Sequence, residues 1–330
     1  MTWKKHPANP ILSTGIHGET RIWDWRDPFV FKEGGRVFLV TGGNLDHQER
    51  GKAIVLLYEA KDDELTQWEY RGILFQHPNE DIKNIECPNF FRLGDKWILV
   101  LSPHGKVEYT IGDFDIQTCK FRPERYGLMD HGRAYYAPNC LLDNSDRRIL
   151  WGWVRGFPEG KGWNGCLTLP RILSIDRQGE LKQEPAPELE RLRGERRSVS
   201  SLVVDDGSRT LEDIRGDCLE IRARFENGNA RSFGLTVSCA SRGRGGIPIA
   251  FGDGQLRAGD ALGPVRLAGD GNKLELRVFL DKSVLEVYAN GRECFTSVIP
   301  YEEGHFAVSV FAEGGKATLA ELDAWSLEPI

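Results

Sequence analysis

The feature that most restricts this chain is the rhythm of its apolar runs. Along the first half they read GRVFLVTGG, AIVLLYEA, GDKWILVLS, VEYTIGDFD, YYAPNCLLD, RRILWGWVRG and LTLPRILSID. Each is short, rich in β-branched and aromatic residues, and bounded by Gly, Asn or Asp. That combination specifies β-strands separated by turns and leaves little room for amphipathic helices. One candidate helix stands out, the charged, proline-led segment APELERLRGERRS from Ala186 to Ser198, which closes the series. It is read as a linker, 186–198, between a first region, 1–185, and a second, 199–330.

In the second region strands continue but alternate more regularly: CLEIRARFE, SFGLTVSCA, KLELRVFLD, SVLEVYANG, HFAVSVFAEG and KATLAELDAW. Alternation of this kind suits a two-sheet sandwich in which each sheet keeps one face in water. Asn290-Gly291 marks a hairpin turn, since both residues tolerate positive φ. The first region is the aromatic one, with Trp3, Trp23, Trp25, Trp68, Trp97, Trp151, Trp153 and Trp163, against Trp325 alone afterwards. Sugar rings stack on such faces, and buried strand cores use them too; core packing is the commoner use of any single tryptophan.

Composition narrows the function. The 330 residues are 40% hydrophobic with a formal net charge of −6, and charges of both signs are interspersed. No basic patch offers itself to nucleic acid, and a neutral, hydroxyl-rich small ligand fits better. No run approaches the roughly 20 apolar residues of a membrane span, and MTWKKHPANP lacks the apolar core of a signal peptide, so a cytoplasmic location is expected. Seven cysteines, at 87, 119, 140, 166, 218, 239 and 294, show no CxxC spacing. They are expected to be reduced, mostly buried thiols, with no metal site and no cofactor implied.

Carboxylates at strand starts are the groups that point to chemistry. Hydrolysis of a glycosidic bond needs a proton donor for the leaving oxygen and a second carboxylate as nucleophile or base. Glu86 in NIECPNFF, between Ile85 and Cys87-Pro88, is a candidate donor, because partial desolvation there would raise its pKa; a solvated loop acid is the alternative. Asp27 in RIWDWRDPFVF precedes a proline that restricts it to extended geometry and aims it from a strand start. Arg26 beside it allows an ordinary ion-paired turn instead. Asp24, three residues earlier, falls on the opposite face by period-two alternation. His131 in LMDHGRAYYAP reads as a base or a metal ligand, or as a structural hydrogen-bonding residue; no second histidine stands at ligand spacing, which favours the last. Trp163, in GWNGCLTLPR, reads as a rim residue stacking on ligand or as part of a packed bend.

In order, these pieces resemble the family-32 glycoside hydrolases, which include invertases, inulinases, levanases and fructan exohydrolases. WRDP is similar to that family's Arg-Asp-Pro motif, IECPNFF to its Glu-Cys-Pro motif, and YGLMDHGRAYYAP to its Asp-His-Gly segment. GWNGCLTLPR, LRVFLDKSVLEVYANG and FAEGGKATLAELDAWSL resemble its later strands. The resemblance implies a five-bladed β-propeller followed by a β-sandwich, and retaining hydrolysis of terminal β-fructosides in sucrose or fructans. It implies Glu86 as acid/base, Asp27 as the carboxylate that stabilises the transition state, and Arg26 and Trp163 as substrate-binding residues. The family's nucleophilic aspartate lies in a Trp-x-Asn-Asp-Pro-Asn-Gly segment about a hundred residues before Arg-Asp-Pro. Only 26 residues precede Asp27 here and that motif is absent.

The expectation is therefore a propeller of three to four blades at roughly 40–50 residues each, with an open side. Exposed strand edges of that kind invite pairing, so a homo-oligomer that closes the ring is one expectation, beside a fragment of a longer enzyme and a carbohydrate-binding protein without turnover. Arabinosidase- and xylosidase-like propellers, in which HPANPIL and WRDP would open the first blade and Asp27 would be the base, are a further alternative.

Overall fold

The computed structural model describes residues 2–46, 50–160, 162–240 and 245–329, and among them the regular structure is β apart from two short 3-10 turns. The chain divides into two compact units, residues 1–129 with 137–140 and residues 130–136 with 141–330.

The first unit holds two four-stranded antiparallel sheets. In the first, β1 (Ile22–Glu33), β2 (Arg36–Leu45), β3 (Lys52–Ala60) and β4 (Trp68–Gln76) pair in chain order; in the second, β5 (Glu86–Leu93), β6 (Lys96–Ser102), β7 (Glu108–Asp115) and β8 (Lys120–Leu128) do the same. Consecutive antiparallel strands in separate four-stranded sheets are the pattern of propeller blades. Between the two sheets lies a core of Phe31, Phe38, Val40, Val55, Leu57, Ile85, Phe90, Trp97 and Leu99. Its aromatic centre includes Phe31 stacked on Phe38 at 5.2 Å and Phe90 on Trp97 at 4.8 Å.

β2 and β3 are buried on both faces, which is why they read as unbroken apolar runs. The outer strands β4 and β8 carry the polar sequences WEYRGILFQ and KFRPERYGL, whose alternation is too broken to mark them as strands; β8 even accommodates Pro123, as an edge strand can. The face of the first sheet turned away from the second is covered by the segment ahead of β1. Leu12 and Ile16 pack there against Leu39, Ile54, Leu56 and Tyr58, and His17 meets the Tyr58 hydroxyl at 2.7 Å.

In the second unit β10 (Arg148–Val154), β11 (Cys166–Leu167), β12 (Arg171–Ile175) and β13 (Leu181–Pro185) run in the order β11-β10-β12-β13. The strand β9 (Tyr135–Leu142) precedes them, and its residues 137–140 count with the first unit. The sequence that follows forms one ten-stranded sheet. It comprises β14 (Arg193–Arg215), β15 (Cys218–Asn227), β16 (Ser232–Cys239), β17 (Ile247–Gly252), β18 (Gln255–Ala258), β19 (Ala261–Pro264), β20 (Lys273–Asp281), β21 (Val284–Ala289), β22 (Glu293–Val298) and β23 (Ala307–Leu327). The expected two layers are present but hydrogen-bonded into one sheet, because β23 pairs with β16 along its first half and with β15 along its second. Between the halves Gly314 and Gly315, at φ 66° and 145°, let the strand turn from one layer to the other. The sheet closes over a core that includes Phe225, Phe233, Leu235, Val278, Val287 and Phe295.

The helix expected over Ala186–Ser198 is a correction. A 3-10 turn covers only Pro187–Leu192, and Arg193 already belongs to β14, paired with Leu327. Its guanidinium lies 4.0 Å over the Trp325 ring and bonds Glu220 at 2.7 and 2.8 Å, which draws the charged segment into the sheet. Across the sequence boundary at 185, the sheet of β10–β13 packs with the sandwich through a fully buried cluster. Arg171 donates to Asp130 at 2.8 Å, Glu286 at 3.3 Å and Thr296 at 2.9 Å, and it sits over the rings of Tyr135 and Tyr288. None of the seven cysteines forms a disulfide, and those at 119, 140, 239 and 294 are buried.

Candidate active site

The candidate site is built where β1 and β5 begin. The stretch from Arg21 to Phe31 does not run as a regular strand: register shifts fall between Trp23 and Arg26 and again between Arg26 and Phe29. At these two bulges Asp24 and Asp27 take left-handed backbone, φ 50° and 59°, so the extended geometry expected of Asp27 ahead of Pro28 is corrected: the register shift at the second bulge overrides it. Aspartate tolerates that region better than most residues, yet each such position costs of order 1 kcal/mol and persists only where surrounding structure imposes it. Cys87, on β5, at φ 45° and His104, in the loop after β6, at φ 62° repeat the pattern. Trp25, between the bulges, points the other way, into the core that holds His17 and Tyr58, and its indole donates to Thr41 at 2.8 Å. The tryptophan is thus a core residue and the charges flanking it are the site.

Arg26 lies at the centre of the cluster. Its Nη2 donates to Glu86 Oε1 at 2.5 Å, its Nη1 stands 3.2 Å from Asp24, and its Nε stands 3.9 Å from Asp27. The bond to Glu86, ahead of the opposing effect of burial, raises the guanidinium's already high pKa. The Cys87 backbone N–H donates to Asp27 at 3.0 Å, and His104 stands 3.5 Å from the other Glu86 oxygen. Burial first, and then the Asp27 charge, push the Cys87 thiol up to about 12, so it is no nucleophile near neutral pH. The carboxylates are about a quarter to a third exposed, Glu86 22%, Asp24 30% and Asp27 32%. They are accessible to a ligand while still held by protein groups.

Two small residues make this approach possible. Gly42, paired with Arg26, lies so close to the chain entering β5 that a Cβ there would stand 1.9 Å from the Ile85 carbonyl oxygen. Any side chain would push Glu86 away from Arg26. Asn89, two residues after Cys87-Pro88, donates to the Pro138 carbonyl at 2.9 Å and accepts from the Cys140 N–H at 3.0 Å, clamping β5 to 138–140.

Of the residues singled out from sequence, Arg26, Asp27 and Glu86 come together. Asp24, assigned by alternation to the far face, joins them because the bulges reset the period; the repeated Asp in the pattern D-x-R-D was the available signal. His104, in the loop SPHGK, was not anticipated. Trp163 lies in the second unit, 49% exposed, with its ring edge-on to Phe157 at 4.9 Å. The bend that carries it depends on Gly165, where a Cβ would stand 2.0 Å from the Trp153 indole nitrogen. His131 takes the structural role: it is buried, bonds Glu293 at 2.6 Å and packs on Phe295.

Among the described residues no group of three or more His, Cys, Asp or Glu side chains is placed to hold a metal ion, and no helix is long and apolar enough to cross a membrane. The second unit carries a cavity of about 520 Å³ over β15, β20 and β23, lined in part by Arg222, Arg224, Arg277 and Glu321. Its arginines bond Glu190, Glu220 and Glu321, so it presents paired charges without a convergent acid and base.

Comparison with known proteins gives a consistent result. Residues 1–185 match the model of the glycosyl hydrolases family 32 N-terminal domain and residues 188–326 that of the glycosyl hydrolases family 32 C-terminal domain. The chain is 27% identical to a sucrose-6-phosphate hydrolase of Escherichia coli over 95% of its own length and 71% of the relative's. It is 32% identical to the Salmonella typhimurium sucrose-6-phosphate hydrolase, covering 81% of this chain and 58% of that protein. A levanase of Bacillus subtilis matches at 27% across the whole chain, which spans 53% of that protein. Among solved structures, fructan 1-exohydrolase IIa from Cichorium intybus superposes with a TM-score of 0.86 at 21% identity, covering 99% of this chain and 75% of that one.

Proposed function

The chain belongs to glycosyl hydrolase family 32, and on that premise we propose that the Asp27–Glu86 cluster recognises a terminal β-D-fructofuranosyl unit of sucrose or a fructan. The reaction it serves is retaining hydrolysis. A nucleophilic carboxylate attacks the anomeric carbon while Glu86 gives its proton to the departing glycosidic oxygen. Glu86 then takes a proton from water, which attacks the same carbon, releases fructose and frees the carboxylate. Asp27, held as an acceptor by the Cys87 N–H, hydrogen-bonds sugar hydroxyls and stabilises the positive charge that develops on the ring. Arg26 orients Glu86.

The observation that carries this reading is the meeting of Arg26 with Glu86, 60 residues apart in sequence, at a solvent-accessible cluster that also holds Asp27. The nucleophile has to lie about 5–5.5 Å from the acid/base. The segment Trp-x-Asn-Asp-Pro-Asn-Gly, which by resemblance supplies it, does not occur in these 330 residues. Assayed alone, the chain is therefore expected to bind fructosides and to release fructose very slowly or not at all. The same absence supports a second reading, a fructan-binding protein without turnover.

Calorimetry with fructose, sucrose, 1-kestose, arabinose and xylose separates the readings. Binding of the fructosides, lost in Asp27→Asn, supports the proposal. Binding of none, or a preference for arabinose or xylose as an arabinosidase- or xylosidase-like site would show, overturns it. Fructose release at rates typical of efficient glycosidases, abolished in Glu86→Gln, would confirm the substrate and establish turnover in place of the binding-only reading.

A further inference from the structure

We infer that Asp24 is a positioning residue of the same site, sharing the Arg26 guanidinium with Glu86 and so keeping Glu86 able to hold a proton. The inference rests on the reading of Glu86 as proton donor.

A general acid has to be protonated when the substrate arrives. Arg26 alone works against that, because a guanidinium 2.5 Å from a carboxylate favours the charged form. Asp24 counters it in two ways of the same sign. Its carboxylate, 3.2 Å from Nη1, takes part of the guanidinium's attraction, and its negative charge beside Glu86 disfavours a second anion there. Asp27 adds a third carboxylate to the one arginine at 3.9 Å and also accepts the Cys87 N–H at 3.0 Å. Glu86 is also faced by His104 at 3.5 Å and adjoins the Cys87 thiol. Asp24, Asp27 and Glu86 thus share the Arg26 guanidinium.

The backbone points to the same residue. Asp24 sits at a bulge in left-handed conformation, a position where glycine or asparagine serves as well sterically. A carboxylate is not required to make the bulge, and the bulge is what brings it beside Arg26. The plainer alternative is that Asp24 only pairs with its neighbour two residues on and shapes the turn.

The test is a carbon-detected titration of the Glu86 carboxyl in the full 330-residue chain, assigned with Glu86→Gln. Asp24→Asn keeps the shape and tolerates the backbone; Asp24→Gly relieves it altogether and guards against an effect peculiar to the amide. In both variants the Glu86 midpoint is expected to fall by roughly half a unit to one unit, the partial exposure of the groups limiting the shift. An unchanged midpoint overturns the inference, leaving Asp24 a turn residue. A rise overturns it too, since Asp24 would then be anchoring Arg26 upon Glu86. Neither outcome depends on turnover: an unchanged midpoint with intact fructoside binding defeats this inference alone, and a lowered midpoint without binding defeats the functional reading alone.

Discussion

Arg171→Met tests whether the buried cluster of the second unit is held by charge or merely by packing. Methionine conserves most of the volume, so what is removed is the guanidinium. Asp130 and Glu286 are then left almost without exposure and without their shared cation. Breaking a buried ion pair by removing one partner costs about 3–5 kcal/mol, because an uncompensated charge stays behind. In a unit of this size each kcal/mol lowers the melting temperature by roughly 2–4 °C, so a loss of about 10 °C is expected. The pH dependence is the sharper signature. Burial already raises the Glu286 pKa, against the pull of Arg171 and the hydrogen bonds from the Leu169 N–H and the Tyr288 hydroxyl. A carboxyl whose folded pKa lies above its unfolded value takes up a proton on folding, so stability falls as pH rises from the unfolded pKa through the folded one. Removing Arg171 raises the folded value further, and the deficit of the variant should be small near pH 4.5, growing towards neutrality. Melting curves from pH 4.5 to 8 for the parent, for Arg171→Met, and for Arg171→Met combined with Asp130→Asn and Glu286→Gln provide the assay. A deficit below about 1 kcal/mol, or one independent of pH and not relieved in the triple variant, would refute the electrostatic account.

Gly42→Ala should cost about 1–3 kcal/mol in the first unit through overpacking against the Ile85 carbonyl. It should also reduce fructoside affinity, because Glu86 and Arg26 are forced apart; calorimetry beside a melting curve reads both effects. Alkylation of the native protein near pH 8 should modify Cys166, the exposed thiol, before Cys87, whose thiol stays protonated there, and mass mapping of the labelled peptides checks the order.

The local character of the strands is legible in the sequence, and the reason is physical. Whether a run such as GRVFLVTGG or KLELRVFLD is buried on two faces or one is written into its own alternation, and a turn such as Asn290-Gly291 needs only two residues to declare its positive φ. The runs fail as a guide where pairing, not burial, makes the strand. β4, β8 and the charged β14 are strands because a neighbour offers hydrogen bonds, and the helix pattern after Pro187 yields once Arg193 finds Trp325 and Glu220.

The same division runs through the site. Asp27, Arg26 and Glu86 are legible because each stands in a short stretch, Arg-Asp-Pro or Glu-Cys-Pro, whose residue order carries the resemblance. Their mutual geometry is not, since the Arg26–Glu86 bond spans two sheets and depends on Gly42 leaving room for Ile85. Alternation assigns Asp24 to the wrong face because it assumes an unbroken period, and bulges are fixed by register against β2, which no local stretch contains. Residue types and their local periods thus determined the strands and the chemistry available to them. Only the long-range pairing of those strands decided which carboxylates share one arginine, because that depends on contacts between segments distant in the chain.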